Sequence, residues 1–220
     1  MTLLFTTLTA LSIAMLSIGC VRTSHQLSEV AETVTDDEIV GIWEEQDSVF
    51  GPRESDHFVI QQHKNGCYRQ HALDRRDESE GVFKLMKVDD VTYMECNLAE
   101  WLAVRGAEPS EREVQSPADL PINLFPCRWE RRGEWIAIWL PDRAVLRRLL
   151  QEEKLTGRVE GGLIIDDINV TSSAEELAAC LQKHSDEIYG VNEPPTRQRR
   201  LYRRVSAKVP APTSETTSTP

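Results

Sequence analysis

No Gly-x-Ser-x-Gly, His-Glu-x-x-His, phosphate-loop or dinucleotide-binding fingerprint occurs in the 220 residues. That removes the enzyme classes that announce themselves by local spacing. Positive charge is scarce, with 25 Lys and Arg against 36 Asp and Glu and a net charge of -11. Nucleic acid and anionic membrane surfaces repel such a chain, so nucleic acid is not expected as a partner. Internal repeats are also missing, and nothing in the spacing calls for a cofactor. What remains is ordinary: 40% hydrophobic and 28% charged residues, enough for one domain with a sizeable core and tails.

Residues 3–18, LLFTTLTALSIAMLSI, carry no charge and are short and Thr/Ser-diluted for a membrane span. They read as the apolar part of an export signal over residues 1–20. Its end, Ser17-Ile18-Gly19-Cys20, resembles the bacterial lipobox, although no Lys or Arg precedes the apolar run. The resemblance implies acylation of Cys20 and a lipid anchor in the cell envelope. With Val21 rather than Asp next, it implies an outer membrane facing the periplasm. A simply cleaved signal and a retained anchor are the other readings. Residues 21–37 are polar without sustained periodicity and are expected to be a flexible tether, while the Pro/Ser/Thr-rich 206–220 is expected to be a disordered tail. The folded unit is then a single domain, 38–205.

The strongest pattern within it is 122–140, where two alternating apolar runs flank Arg132-Gly133. A turn there gathers Phe125, Cys127, Trp129, Ile136, Ile138 and Leu140 on one face, and Trp135, Ala137 and Trp139 on the other. Asn65-Gly66 marks a second hairpin, pairing Phe58 with Leu73 and Ile60 with His71. Its inner face would be Phe58, Ile60, Cys67, His71 and Leu73. Asp89-Asp90 marks a third, with Val88 opposite Val91, Lys84 opposite Glu95, and Phe83, Leu85, Met94 and Cys96 on the apolar face. Ile39 to Trp43 opens the domain as a short strand and Arg199 to Val205 closes it.

Residues 98–121 lack secure secondary structure and read as a surface excursion or a lid. A helix from Arg143 to Lys154 follows, with Asp142 as its cap, and a second begins at the Ser172-Ser173 capping sequence. Val159 and Leu163 to Ile165 are expected to pair around Gly161-Gly162. The fold class is α+β: an antiparallel, partly closed, barrel-like meander with two helices before the last strand.

His63, Cys67 and His71 have the look of ligand spacing, but the hairpin register divides them between faces, so no metal site is expected. Besides Cys20, the four cysteines sit on faces assigned to the core. They are either buried thiols or include a disulfide, with Cys96–Cys127 the first pairing to consider.

Gly41-Ile42-Trp43, a meander and an Arg-rich closing strand are together similar to the lipocalin-like pattern. That resemblance implies that Trp43 packs under Arg200, Arg203 or Arg204, with Arg203 taken as the partner. The whole also resembles exported bacterial lipoproteins of unassigned function, which implies a fold and an address but no activity. The expected role is a non-catalytic binding or accessory module. A small apolar ligand or an envelope protein would be its partner, the former in a pocket lined by Phe58, Ile60, His71, Leu85, Met94, Trp129, Ile136 and Ile138. The alternative is an interaction subunit using a Trp135/Trp139 face.

Overall fold

The computed structural model describes residues 21–46, 57–73, 81–96, 123–161, 167–192 and 199–208. Eight strands close into an antiparallel barrel: β3 (Gly41–Glu45), β4 (His57–Gln62), β5 (Tyr68–Ala72), β6 (Gly81–Val88), β7 (Val91–Cys96), β9 (Cys127–Arg132), β10 (Trp135–Trp139) and β13 (Arg199–Ser206). Within the barrel every neighbour is the next barrel strand in the chain, and β13 returns to pair with β3. This is an up-and-down barrel, fully rather than partly closed, so its ring has no free strand edge.

The alternation of apolar residues dictates which face points inward. Trp43, Phe58, Ile60, Tyr68, Phe83, Leu85, Met94, Trp129, Ile136, Ile138 and Tyr202 form one continuous interior cluster with Ile39. The β6–β7 register has the expected pairs, Val88 with Val91, Lys84 with Glu95 and Leu85 with Met94. The β9–β10 hairpin turns at Gly133-Glu134 instead of Arg132-Gly133, so Trp129 faces Ile138 and Arg131 faces Ile136. Gly133 supplies the left-handed turn position at φ 57°. A slip of two residues leaves every face unchanged.

The β4–β5 hairpin slips by one, and there the consequence is opposite. Its loop spends three residues, Lys64–Gly66, with Asn65 at φ 56° and the His63 N–H donating to the Cys67 carbonyl. Ile60 therefore pairs with Gln70 and Phe58 with Ala72. His71 lies opposite Val59 on the outer face, contrary to the expected inner position.

A second layer covers one outer side of the barrel. It comprises α1 (Arg143–Gln151), α2 (Ala174–Ile188) and a mixed sheet in the order β11 (Gly157–Glu160), β12 (Asp167–Val170), β1 (Val21–Thr23), β8 (Asn123–Leu124). β11 pairs with β12 at 167–170, while 163–165, expected in that pairing, lies outside the described residues. Asp142 caps α1 by accepting from the Ala144 and Val145 N–H groups, and Ser173 and Glu176 form the capping box of α2. Leu146, Leu149, Leu177, Cys180, Leu181 and Ile188 from the helices pack with Met86, Tyr93 and Trp139 from the barrel's outer face. Phe125, expected inside the hairpin face, belongs to this outer core, and so does Trp139.

Residues 21–37, expected to be a flexible tether, are built into the body. β1 lies between β12, its parallel partner, and β8, its antiparallel one. Leu27 is fully buried, and β2 (Glu32–Val34) pairs with β6 beyond the end of β5. Three-residue strands leave no periodicity to read, and the contacts that hold them come from distant positions.

Candidate functional site: a barrel with one sealed end

The segment leading into β3 seals one end of the barrel. Its short 3-10 turn, Asp37–Ile39, buries Ile39 completely, and the Trp43 indole N–H donates to the Ile39 carbonyl at 2.8 Å. The Arg131 guanidinium, on an inward position of β9, holds Asp36 at 2.6 Å and Glu38 at 2.7 Å. The Asp36 N–H donates to the Tyr68 hydroxyl at 2.6 Å, and Gln62 donates to Asp37 at 2.6 Å. Burial and the neighbouring Asp36 and Asp37 charges push the Tyr68 phenol above its ordinary value, only partly offset by the Asp36 N–H.

Trp43 carries Arg204 over its ring at 5.0 Å. Arg203, the partner expected from the sequence, is exposed on the opposite face and pairs with Trp135 and Glu44. Alternation along β13 explains the difference: Tyr202 points inward, so Arg204 does too. Gly41 is needed at the head of this arrangement. It sits at φ 153°, and a Cβ there would lie 2.5 Å from the Ser206 carbonyl oxygen, where β13 has an irregularity.

At the other end the strands lead into 47–56, 74–80, 97–122 and 193–198, which lie outside the described residues, as does the expected lid. Here an ion pair points inward. Glu45 lies opposite Tyr202 and Arg200 opposite Ile138, both interior partners, and Arg200 Nη1 stands 2.6 Å from Glu45 Oε1. The Glu45 side chain is 4% exposed and that of Arg200 28%. Gln70, Cys96 and Cys127 also occupy inward positions towards this end.

Seven of the eight residues expected to line a pocket do meet inside the barrel, namely Phe58, Ile60, Leu85, Met94, Trp129, Ile136 and Ile138. His71 does not. It is 9% exposed on the outer face, its Nδ1 3.1 Å from the Ala72 carbonyl oxygen. Aromatic rings fill much of the interior: Phe58 and Tyr202 meet edge to face at 4.8 Å, and Phe83 contacts Tyr68 at 5.5 Å and Trp129 at 5.9 Å. An open cleft of about 500 Å³ lies at the sealed end, between Val34–Asp36 and β6, β7 and β9. Its lining mixes Lys87, Arg128 and Arg131 with Asp36, Asp90 and Glu130.

Cys96 and Cys127 are thiols, not the disulfide considered from the sequence. Burial pushes both up, Cys127 to about 12, with Cys127 and then Glu95 adding to the effect on Cys96. Neither of these two thiols is a ready nucleophile. Ser185 is buried beneath Tyr93, whose hydroxyl donates to it at 2.9 Å, and Arg128 approaches it at 3.3 Å, so no base attends it. Among the described residues no cluster of His, Cys, Asp and Glu could hold a metal ion.

The sequence reading missed the Glu45–Arg200 pair. Its signal was parity: counting from the inward Trp43 and Tyr202 puts both residues on the interior face. Comparison with protein-family models, curated proteins and solved structures returned no match to this chain.

Proposed function

We propose that the protein is an exported, non-catalytic binding module of the bacterial envelope, acylated at Cys20 and lipocalin-like in type. The Glu45–Arg200 pair carries this reading. Taking two charges into a barrel interior is costly, and a packed apolar pair would serve stability as well. Its position at the end opposite the seal supports a role in recognition. The ligand favoured is a small amphiphile, its apolar part against Phe58 and Ile138 and its polar or acidic group exchanged onto Arg200. The lipobox-like Ser17 to Cys20 supports the address, probed by the acyl mass on Cys20.

The test is solvent extraction of the natively purified protein followed by mass spectrometry of what it releases. A stoichiometric amphiphile from the native chain, lost from a folded Glu45→Met/Arg200→Met double variant, supports the reading. Its absence from the native protein, or its retention by the folded variant, contradicts it.

An interaction subunit is the second reading. Burial of Trp139 removes half of the aromatic face it relied on, leaving Trp135 at 40% and Val205 at 53% exposure on neighbouring strands. That pair is a smaller surface than a stable partner ordinarily covers.

A further inference from the structure

We infer that the acyl anchor holds this barrel directly against the bilayer, without a spacer and with the end opposite the seal nearest the lipid. The inference rests on the reading of Cys20 as the lipidated residue. A coil over residues 21–37 would let the body wander roughly 20–25 Å from its anchor, and a fully extended one about 55–60 Å. Neither applies, because the residue after Cys20 already belongs to β1.

β1 is gripped from several sides. Val21 pairs with Ile168, its carbonyl accepts the Phe125 N–H at 2.9 Å, and Thr23 pairs with Asn123 and Val170. A little further on, the buried Glu95 carboxylate takes the N–H of Leu27 and, at 3.3 Å, that of Ser28. The anchor point is thereby fixed to the body within one residue, about 3.5 Å of chain.

The level of that point follows from β8 and β9. The last contact between the two segments, the Phe125 N–H on the Val21 carbonyl, lies two residues before β9 begins. β9 starts at Cys127, opposite Met94, and runs from there to the sealed end at Arg132. Six residues of strand, roughly 20 Å, separate the two levels. The anchor thus belongs to the half opposite the seal, and the seal built on Trp43 and Arg131 points away. Charge does not draw this edge to the membrane. Glu160 and Asp167 stand opposite each other there, and the chain carries -11 overall. Contact depends on the acyl chains alone.

The test uses the full chain, acylated in a bacterial host and reconstituted in phosphatidylcholine vesicles containing a headgroup-labelled acceptor lipid. Donor dyes are placed by Gln46→Cys at the end opposite the seal and by Lys64→Cys in the sealed-end turn, both exposed positions. We expect transfer from the Gln46 position to exceed that from Lys64 by about twofold or more, and a Gly/Ser spacer of about fifteen residues between Cys20 and Val21 to abolish the difference. Cys20→Ser should leave the vesicles. Equal transfer from both positions, or transfer unchanged by the spacer, overturns the inference while the acyl mass on Cys20 still stands. A mature chain without that mass overturns the anchor itself.

Discussion

The Arg204 guanidinium lies 5.0 Å over the Trp43 ring and so joins the last barrel strand to the first at the sealed end. Trp43 is fully buried and also hydrogen-bonds the turn that forms the seal. Trp43→Ala should cost about 3–5 kcal/mol in chemical denaturation. Arg204→Ala should cost about 1–2 kcal/mol, with a measurable coupling to Trp43 in a double-mutant cycle. Arg203→Ala should stay within about 0.5 kcal/mol of the native protein. Gly41→Ala, which brings a Cβ against the Ser206 carbonyl, should destabilise by about 1–3 kcal/mol.

Glu95 gives the fold a pH dependence. Burial raises its carboxyl above the ordinary value of 4.5, outweighing the N–H groups of Leu27 and Ser28 and the Lys84 charge, which act to lower it. An acid with a raised folded value binds its proton more tightly in the native state. Its contribution is full below the unfolded value and declines as pH rises through the folded one. Denaturation curves taken from pH 4.5 upward should therefore show a fall in stability that Glu95→Gln reduces. Glu95→Ala should be worse than either, by about 1–3 kcal/mol, because two amide donors lose their acceptor.

Breaking the interior ion pair should cost more than replacing it. Glu45→Ala is expected to destabilise by about 2–4 kcal/mol, below the fully buried range because 28% of the Arg200 side chain is exposed. The Glu45→Met/Arg200→Met variant should regain most of that loss. Thermal and urea denaturation of the three proteins would show the difference.

The interior thiols should be inert. At pH 8, alkylation of Cys96 and Cys127 should run far slower in the native protein than in urea, since burial raises both. The same shift makes their contribution to stability complete below the ordinary thiol value of 9.0 and lost as pH rises towards 12. Cys127→Ser should flatten that alkaline decline.

Much of this architecture is legible in the residues themselves. Alternation in Phe83, Leu85, Met94, Trp129, Ile136 and Ile138 places six interior side chains from pattern alone. Asp142 and Ser173 announce both helices. Turn geometry is where legibility ends. Asn65-Gly66 suits a two-residue turn, yet the chain spends a third residue there, and one residue is enough to carry His71 outside. At Gly133 the error was two residues and harmless. The N-terminal segment was opaque for another reason. Leu27 and Val34 are isolated apolar residues in a polar stretch, and what orders them is a carboxylate 68 positions away, with Arg131 reaching Asp36 across 95. Local propensity carries no trace of such contacts.

Amide hydrogen exchange across residues 21–37 tests most directly whether this segment is wall and seal or merely a leash. Protection at Val21, Thr23, Leu27 and Ile39 comparable to that of Leu85 and Ile136 is the predicted result. Exchange at the rate of an unstructured peptide, with the rest of the barrel still protected, would contradict it.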